Sequence, residues 1–345
     1  MSAELKQKLE SVVYPGRTET LGQLGLVQEI DGTTAVINLP SPAITREAEL
    51  TSLLQAAAGQ EIQIKFQKEQ IATPRGLGSS LLANAKNIIA VASGKGGVGK
   101  STVACNLGAA LAKMGCSVGI IDADVYGPSQ PMLLGVNGTA LTIREKRILP
   151  VEAHGVKLIS MGFLMKPGDA VIWRGPMLHG MMNQFCRDVE WGELDFMIFD
   201  LPPGTGDISL SLSQLIDITG AVVVSTPQDL ALDVATKAVG MFKKLEVPVL
   251  GLVENMSYYC CPECGHRDDI FNHGGTKAAA DKLQLPMLGD VPLNSELRKA
   301  GDAGVPAVLH NPDSAPAQAL MKLATNVAEM VSLNAALTEK QLASA

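Results

Sequence analysis

The chain has 345 residues, room for one large domain and a small one, each able to bury a core. With 28 Lys and Arg against 35 Asp and Glu its net charge is −7, which argues against general electrostatic binding to nucleic acid. Hydrophobic residues reach 46 %, yet no apolar run approaches the roughly 18–20 residues of a membrane span, so no membrane partner is expected.

In chain order, residues 4–13 read as a helix, and LGLVQEI and TTAVINL as strands joined by DGT, a hairpin signal. A mixed helical stretch at 44–58 and the alternating strand EIQIKF complete a small α/β domain over residues 1–68, without cysteine. The Pro, Gly and Ser of IATPRGLGSSLLANAKN mark residues 69–87 as a linker. From residue 88 to 345 the pattern changes to a second α/β domain. NIIAVAS, SVGIID, VKLISMG, DFMIFDLP, AVVVSTP and VPVLGLVEN are apolar strands separated by helical segments. Such near-continuous apolar strands imply a doubly wound, mostly parallel sheet covered by helices, with ligands at the carboxyl ends of the strands. The N-terminal MSAELKQKLE has neither the apolar core of a signal peptide nor an Arg-rich transit pattern, which leads to the expectation of a cytoplasmic protein with reduced thiols.

The first strand of the second domain runs into GKGGVGKST: Gly94, Lys95, Gly96, Gly97, Val98, Gly99, Lys100, Ser101 and Thr102. Residues 94–101 fit G-x-x-x-x-G-K-[ST] between a strand and a helix, the context a phosphate-binding loop requires. Its backbone N–H groups and the helix N-terminus suit phosphates. Lys100 suits the β- and γ-phosphates, Ser101 a Mg²⁺ ion, and Thr102 the α-phosphate. Asp124, in IIDADVYGPS, and Asp200, in FMIFDLPPGTGD, end two other strands where carboxylates serve a Mg²⁺-nucleotide by holding metal waters or orienting the attacking one. Asp122 either joins them or caps the turn, and the role of Asp207 is open. Lys95 is a second lysine that the ordinary loop does not need.

Six cysteines are few for this length, and three crowd into CCPEC at 260–264. In a reducing compartment that suggests metal or redox chemistry. Cys261 and Cys264 form C-P-x-C, whose thiolates can face one soft metal centre. One pair supplies two of four ligands; the others come from His266 and His273, from Cys260, or from another subunit. Cys105 and Cys116 lie on or just after the helix that follows the phosphate loop, Cys186 lies in another helical stretch, and all three read as core; the Met-rich PMLHGMMNQF reads as helix packing.

KGGVGKST, DADVYGPS and DLPPGTGD together resemble the deviant Walker A ATPases, a superfamily that includes MinD, ParA and the iron–sulfur carriers. The resemblance implies that Lys95 reaches across a homodimer to the partner's nucleotide, and that Asn255, ending GLVEN, contacts adenine. NMSYYCCPECG followed by FNHGG, with WRGPM, WGELDFMIFDLPPGTGD and LGDVPLNSELR, is similar to the Mrp/ApbC family of iron–sulfur carrier ATPases from about residue 88 to 310. The N-terminal domain resembles the one that precedes the ATPase in many bacterial members. This second resemblance implies ATP hydrolysis and a [4Fe–4S] cluster bridged between Cys261 and Cys264 and their symmetry mates. It also implies partner proteins that donate clusters and apoproteins that receive them. Cys260 stands where the family usually has an apolar residue, and reads as a small buried hydrophobe. Two other readings stay open. One is a MinD/ParA-like positioning ATPase, although the C-terminal segment lacks the basic face of a membrane helix. The other is an adaptor binding zinc through Cys261, Cys264, His266 and His273.

Overall fold

The structure is a computed structural model and describes residues 2–15, 17, 19–39, 46–68, 81–125, 127–164, 175–204, 212–228, 231–261 and 263–343. It divides into two compact units, Met1–Pro74 with Thr325–Ala345, and Arg75–Ala324.

In the first unit, α1 (Ser2–Glu10) and α2 (Leu21–Leu24) precede a hairpin of β1 (Val27–Asp31) and β2 (Thr34–Leu39), then α3 (Glu47–Ala58) and β3 (Gln63–Lys68). Thr20 and Gln23 form a reciprocal capping box, which lets a helix of four residues start cleanly. The alternation in β2 turns Ala35, Ile37 and Leu39 inward, where they meet Leu9, Leu21, Leu50 and Leu54 in one core. β2 pairs antiparallel with β1 and parallel with β3. The last helix, Ala315–Ala343, contributes its second half to this unit. Leu333 sits in the core, and buried Glu329 accepts a hydrogen bond from Arg46 Nε at 2.7 Å. The expected 88–345 domain therefore differs from the compact second unit, because Thr325–Ala345 packs with the N-terminal residues.

The second unit runs β4 (Ala85–Ala92), α4 (Lys100–Lys113), β5 (Val118–Asp122), α5 (Gln130–Leu133), the short strands β6 (Thr142–Arg144), β7 (Arg147–Leu149) and β8 (Val151–Ala153), β9 (Val156–Ser160), α6 (Gly175–Arg187), β10 (Leu194–Asp200), β11 (Gly220–Ser225), α7 (Ala231–Lys244), β12 (Val249–Cys260), β13 (Arg267–Asp268), α8 (Gly275–Leu283), β14 (Met287–Leu293), α9 (Ser295–Asp302) and α10 (Ala307–His310). Most of the predicted linker, residues 69–80, lies outside the described residues. Its last three residues belong to β4, because Ala85 and Asn87 pair with Leu194 and Phe196.

The sheet order is β8-β9-β5-β10-β4-β11-β12, with β14 along β12 and β13 folded back on its end. From β9 to β14 the neighbours are parallel; β8 and β13 pair antiparallel. The six apolar runs predicted as strands form β4, β5, β9, β10, β11 and β12. Burial explains them: the last six residues of β4 and all of β5 and β11 are buried. Each fully buried Ile or Val contributes about 1.5–3 kcal/mol. Chain order leaves β4 toward β5 and β9 on one side and toward β11 and β12 on the other, so a ligand crevice opens at the carboxyl end of β4. Among the described residues, no helix is long and apolar enough to cross a membrane.

Candidate functional site

The loop after β4 is shaped by glycine in two ways. Gly97 and Gly99 take positive φ, +77° and +82°, which non-glycine residues adopt only with strain. A Cβ on Gly97 would meet nothing within 4 Å, so this stretch is open to a ligand. A Cβ on Gly99 would instead collide with the side-chain amide of Asn255, and one on Gly94 with the carbonyl of Val234. Gly99→Ala is therefore expected to cost on the order of 1–3 kcal/mol in backbone strain alone. Its melting temperature should fall by roughly 2–10 °C, with nucleotide affinity lost in parallel; calorimetry and nucleotide titration check this.

α4 starts at Lys100, with its first N–H groups unpaired by the helix itself. Lys100 Nζ binds Asp200 Oδ1, and lies 3.2 Å from Ser101 Oγ and 3.6 Å from Asp124 Oδ2. Three strand ends thus bring together the four residues expected to handle phosphates and metal. Their side chains are nearly dry: Lys100 is 6 % exposed, Asp200 0 % and Asp124 13 %. Asp124 lines a cavity of about 310 Å³ with Ser93, Gly96 to Thr102, Met132 and Pro203. This donor set fits a Mg²⁺-nucleotide: hard oxygens and an ammonium beside an open glycine cradle.

Asp122 resolves to the turn. Its buried carboxylate accepts bonds from the N–H groups of Asp124 (3.2 Å) and Gln130 (3.1 Å) and from Ser160 Oγ (2.9 Å). Burial, with the Asp200 charge beside it, pushes its carboxyl up to about 7. Asp207 lies outside the described residues. Lys95 is half-buried, and its Nζ donates to Gln228 Oε1 of the same chain at 2.7 Å. Asn255, expected at adenine, is 3 % exposed and donates Nδ2 to the Val98 carbonyl at 2.8 Å. The missing side chain of Gly99 admits the amide there, so Asn255 braces the phosphate loop.

Six residues further on, β12 ends in the cysteine turn. Tyr259 and Cys260 pair with Asp268 and Arg267 of β13. Between them Cys261 N–H donates to the His266 carbonyl and Gly265 N–H to the Cys261 carbonyl, both at 2.9 Å. The N–H groups of Cys264 and Glu263 also bond the Cys261 sulfur, which holds its thiol below the ordinary value. A thiolate stabilised this way is the ligating and reactive form. Cys261 is half-buried and Cys264 exposed. Among the described residues, Cys261, Cys264, His266 and His273, the alternative zinc set, do not converge within one chain. His273 lies against the Arg267 guanidinium at 3.2 Å, and among the described residues no group of three or more His, Cys, Asp or Glu is placed to hold a metal. Cys260 is half-buried rather than buried; Cys105, Cys116 and Cys186 are buried as expected. Burial raises the Cys116 thiol to about 11 and the Cys186 thiol to about 12.

Sequence reasoning missed two buried residues. Gln130 donates to both Ser101 and Asp200. Glu254 closes the base of the cysteine excursion by accepting from Ser257 Oγ (2.6 Å) and Thr276 N–H (2.8 Å). Neither falls in a phosphate or metal motif; the one available signal was a polar residue at the end of a predicted strand or turn.

A parallel sheet whose first strand delivers a glycine loop, Lys100 and Ser101 beside Asp124 and Asp200 defines a P-loop NTPase with the MinD/ParA-like fold. The family model described as ParA, NUBPL iron-transfer P-loop NTPase, matches residues 84–328. The chain belongs to that family. It is 46 % identical over 343 residues to the iron–sulfur cluster carrier protein of Deinococcus radiodurans, covering 96 % of each chain. It is also 46 % identical to an Arabidopsis thaliana iron–sulfur protein required for mitochondrial NADH dehydrogenase, over 71 % of this chain and 79 % of the relative. Among solved structures, a nucleotide-binding protein of Archaeoglobus fulgidus in complex with ADP superposes with a TM-score of 0.60 at 39 % identity, covering 68 % of this chain and 91 % of that one. The Pyrococcus horikoshii septum site-determining protein MinD with Mg-ADP gives 0.51 at 27 % identity, covering 69 % and 94 %.

Proposed function

We propose that the chain is a cytoplasmic ATP-hydrolysing carrier that receives an iron–sulfur cluster, of [4Fe–4S] type, and passes it to apoproteins. The cluster is cargo, held between two copies of the chain by Cys261 and Cys264 of each. The observation that carries this reading is β12 itself: the strand that braces the phosphate loop through Asn255 ends at the cysteine pair. One pair gives two of the four thiolates a cluster needs, and a two-fold axis supplies the rest. The names of the relatives support the cargo.

In the nucleotide half, the N–H groups of residues 96–102 cradle phosphates and Lys100 leaves its carboxylates for the β- and γ-oxygens. Ser101 and the carboxylates Asp124 and Asp200 hold the metal and its waters. Mg²⁺, when bound, neutralises charge developing on the phosphates. Lys95 exchanges Gln228 for the partner's nucleotide, so hydrolysis belongs to the dimer. Lys95→Ala should bind ATP with affinity near the parent's, while turnover falls about 10²–10³-fold; equal turnover would remove the role in trans.

Anaerobic reconstitution tests the whole proposal. The expected product is a dimer with iron and sulfide in the ratio of one cluster per two chains, transferable to an apoprotein. Zinc in place of iron, or a cluster bound by monomer, would overturn it.

A further inference from the structure

Gln130 belongs to no phosphate-loop motif, yet it is wholly buried among the residues that do. It opens α5, and its backbone N–H donates to Asp122 Oδ2 at 3.1 Å. Its side-chain Nε2 donates twice, to the Ser101 carbonyl at 2.9 Å and to Asp200 Oδ2 at 2.8 Å. A single residue thereby joins the first turn of α4 to the ends of β5 and β10. Its Oε1 is buried with no hydrogen-bond partner among the described residues. An unpaired buried carbonyl is unfavourable, and a methionine of similar volume would avoid it. The amide earns its place through its donors.

The charges say why donors are needed. Asp124 and Asp200 flank the ammonium of Lys100, with the Asp122 charge beside Asp200, and Lys100 binds Asp200 through Oδ1, the oxygen Gln130 does not hold. A phosphate-loop lysine serves the β- and γ-phosphates once nucleotide is bound, so its hold on Asp200 weakens just when the carboxylate must be in place. Gln130 is neutral, and its grip on Oδ2 does not depend on where the ammonium goes.

We propose that Gln130 is a positioning residue for Asp200: its Nε2 fixes Oδ2 against the Ser101 turn and leaves Oδ1 available to the Mg²⁺ of the bound nucleotide. This rests on reading the site as one for a Mg²⁺-nucleotide, and is independent of the cargo. Residues one step removed from a metal typically change its affinity or the activity by about 10–100-fold when lost.

The test uses the full chain with Gln130→Met, which removes the donors at near-constant volume, and Gln130→Glu, which keeps the shape and sets an acceptor against Asp200. A fluorescent ADP analogue is titrated with and without Mg²⁺, and ATP turnover is measured alongside. Gln130→Met should need about tenfold more Mg²⁺ for half-saturation, with Mg²⁺-free affinity within about twofold of the parent, and turnover should fall in kcat rather than KM. Gln130→Glu should fall at least as far. Unchanged Mg²⁺ midpoints in both variants would overturn the inference. So would a parent-like Gln130→Glu, which would mean that shape alone matters, or a matching loss of Mg²⁺-free binding, which would mean general collapse. A parent that bound no cluster would remove the carrier reading and leave these Mg²⁺ midpoints to decide this one.

Discussion

Replacing Cys261 and Cys264 together by serine abolishes cluster binding and leaves nucleotide affinity within about twofold of the parent. Serine keeps the size of the side chain but offers a hydroxyl that stays protonated where the thiol does not, so a soft iron centre loses its ligands. The turn itself should survive, because it is held by backbone bonds from Cys261 to His266 and from Gly265 to Cys261, and by pairing of β12 with β13. The nucleotide loop is braced by Asn255 from within β12, ahead of the substituted positions. Iron, sulfide and zinc measured on anaerobically reconstituted protein check the first half, and nucleotide titration the second. Substituting His266 and His273 by alanine should leave iron and sulfide unchanged. A loss of metal there as large as in the cysteine variant would mean that one chain completes the ligand set by itself.

The cysteine pair was legible because its chemistry is carried by spacing; what completes it was not, since ligand number is a property of an assembly. The strands were legible for a similar reason. A parallel strand buried on both faces must be apolar throughout, and β4, β5, β10 and β11 announce themselves that way. The second half of the last helix gave no such signal. Leu333 is an ordinary apolar helix residue, and nothing in its local pattern says which core it enters. The bond from Asn255 to the phosphate loop was not legible, because position along a strand does not fix where an amide points. Here the direction follows from an absent side chain at Gly99, over 150 residues earlier, and from the left-handed turn at Met256. Gln130 reaches Ser101 and Asp200 only because Asp122 folds the 122–130 turn onto its own carboxylate. Such a role is long-range, and no window of sequence contains it.

The second large effect is expected at Lys100. Lys100→Met keeps the apolar stem and removes the cation, so Asp200, wholly buried, loses its only ion-pair partner among the described residues. Breaking a buried pair from one side typically costs about 3–5 kcal/mol, equivalent to a fall of roughly 5–15 °C in melting temperature for a unit of this size. ATP turnover should drop by more than about 10²-fold, because the β- and γ-phosphates would lose the ammonium that offsets their charge beside the carboxylates of Asp124 and Asp200. The two losses have different cures. Adding Asp200→Asn to Lys100→Met removes the stranded charge while Gln130 still has an oxygen to donate to, so much of the melting temperature should return. Turnover should not, since neither the ammonium nor the carboxylate is restored. Calorimetry and ATP turnover on the parent, both single variants and the double variant read the two effects separately. Recovery of turnover in the double variant would mean that Lys100 matters only as a counter-charge in the folded site, and that the phosphates are held by the glycine loop alone.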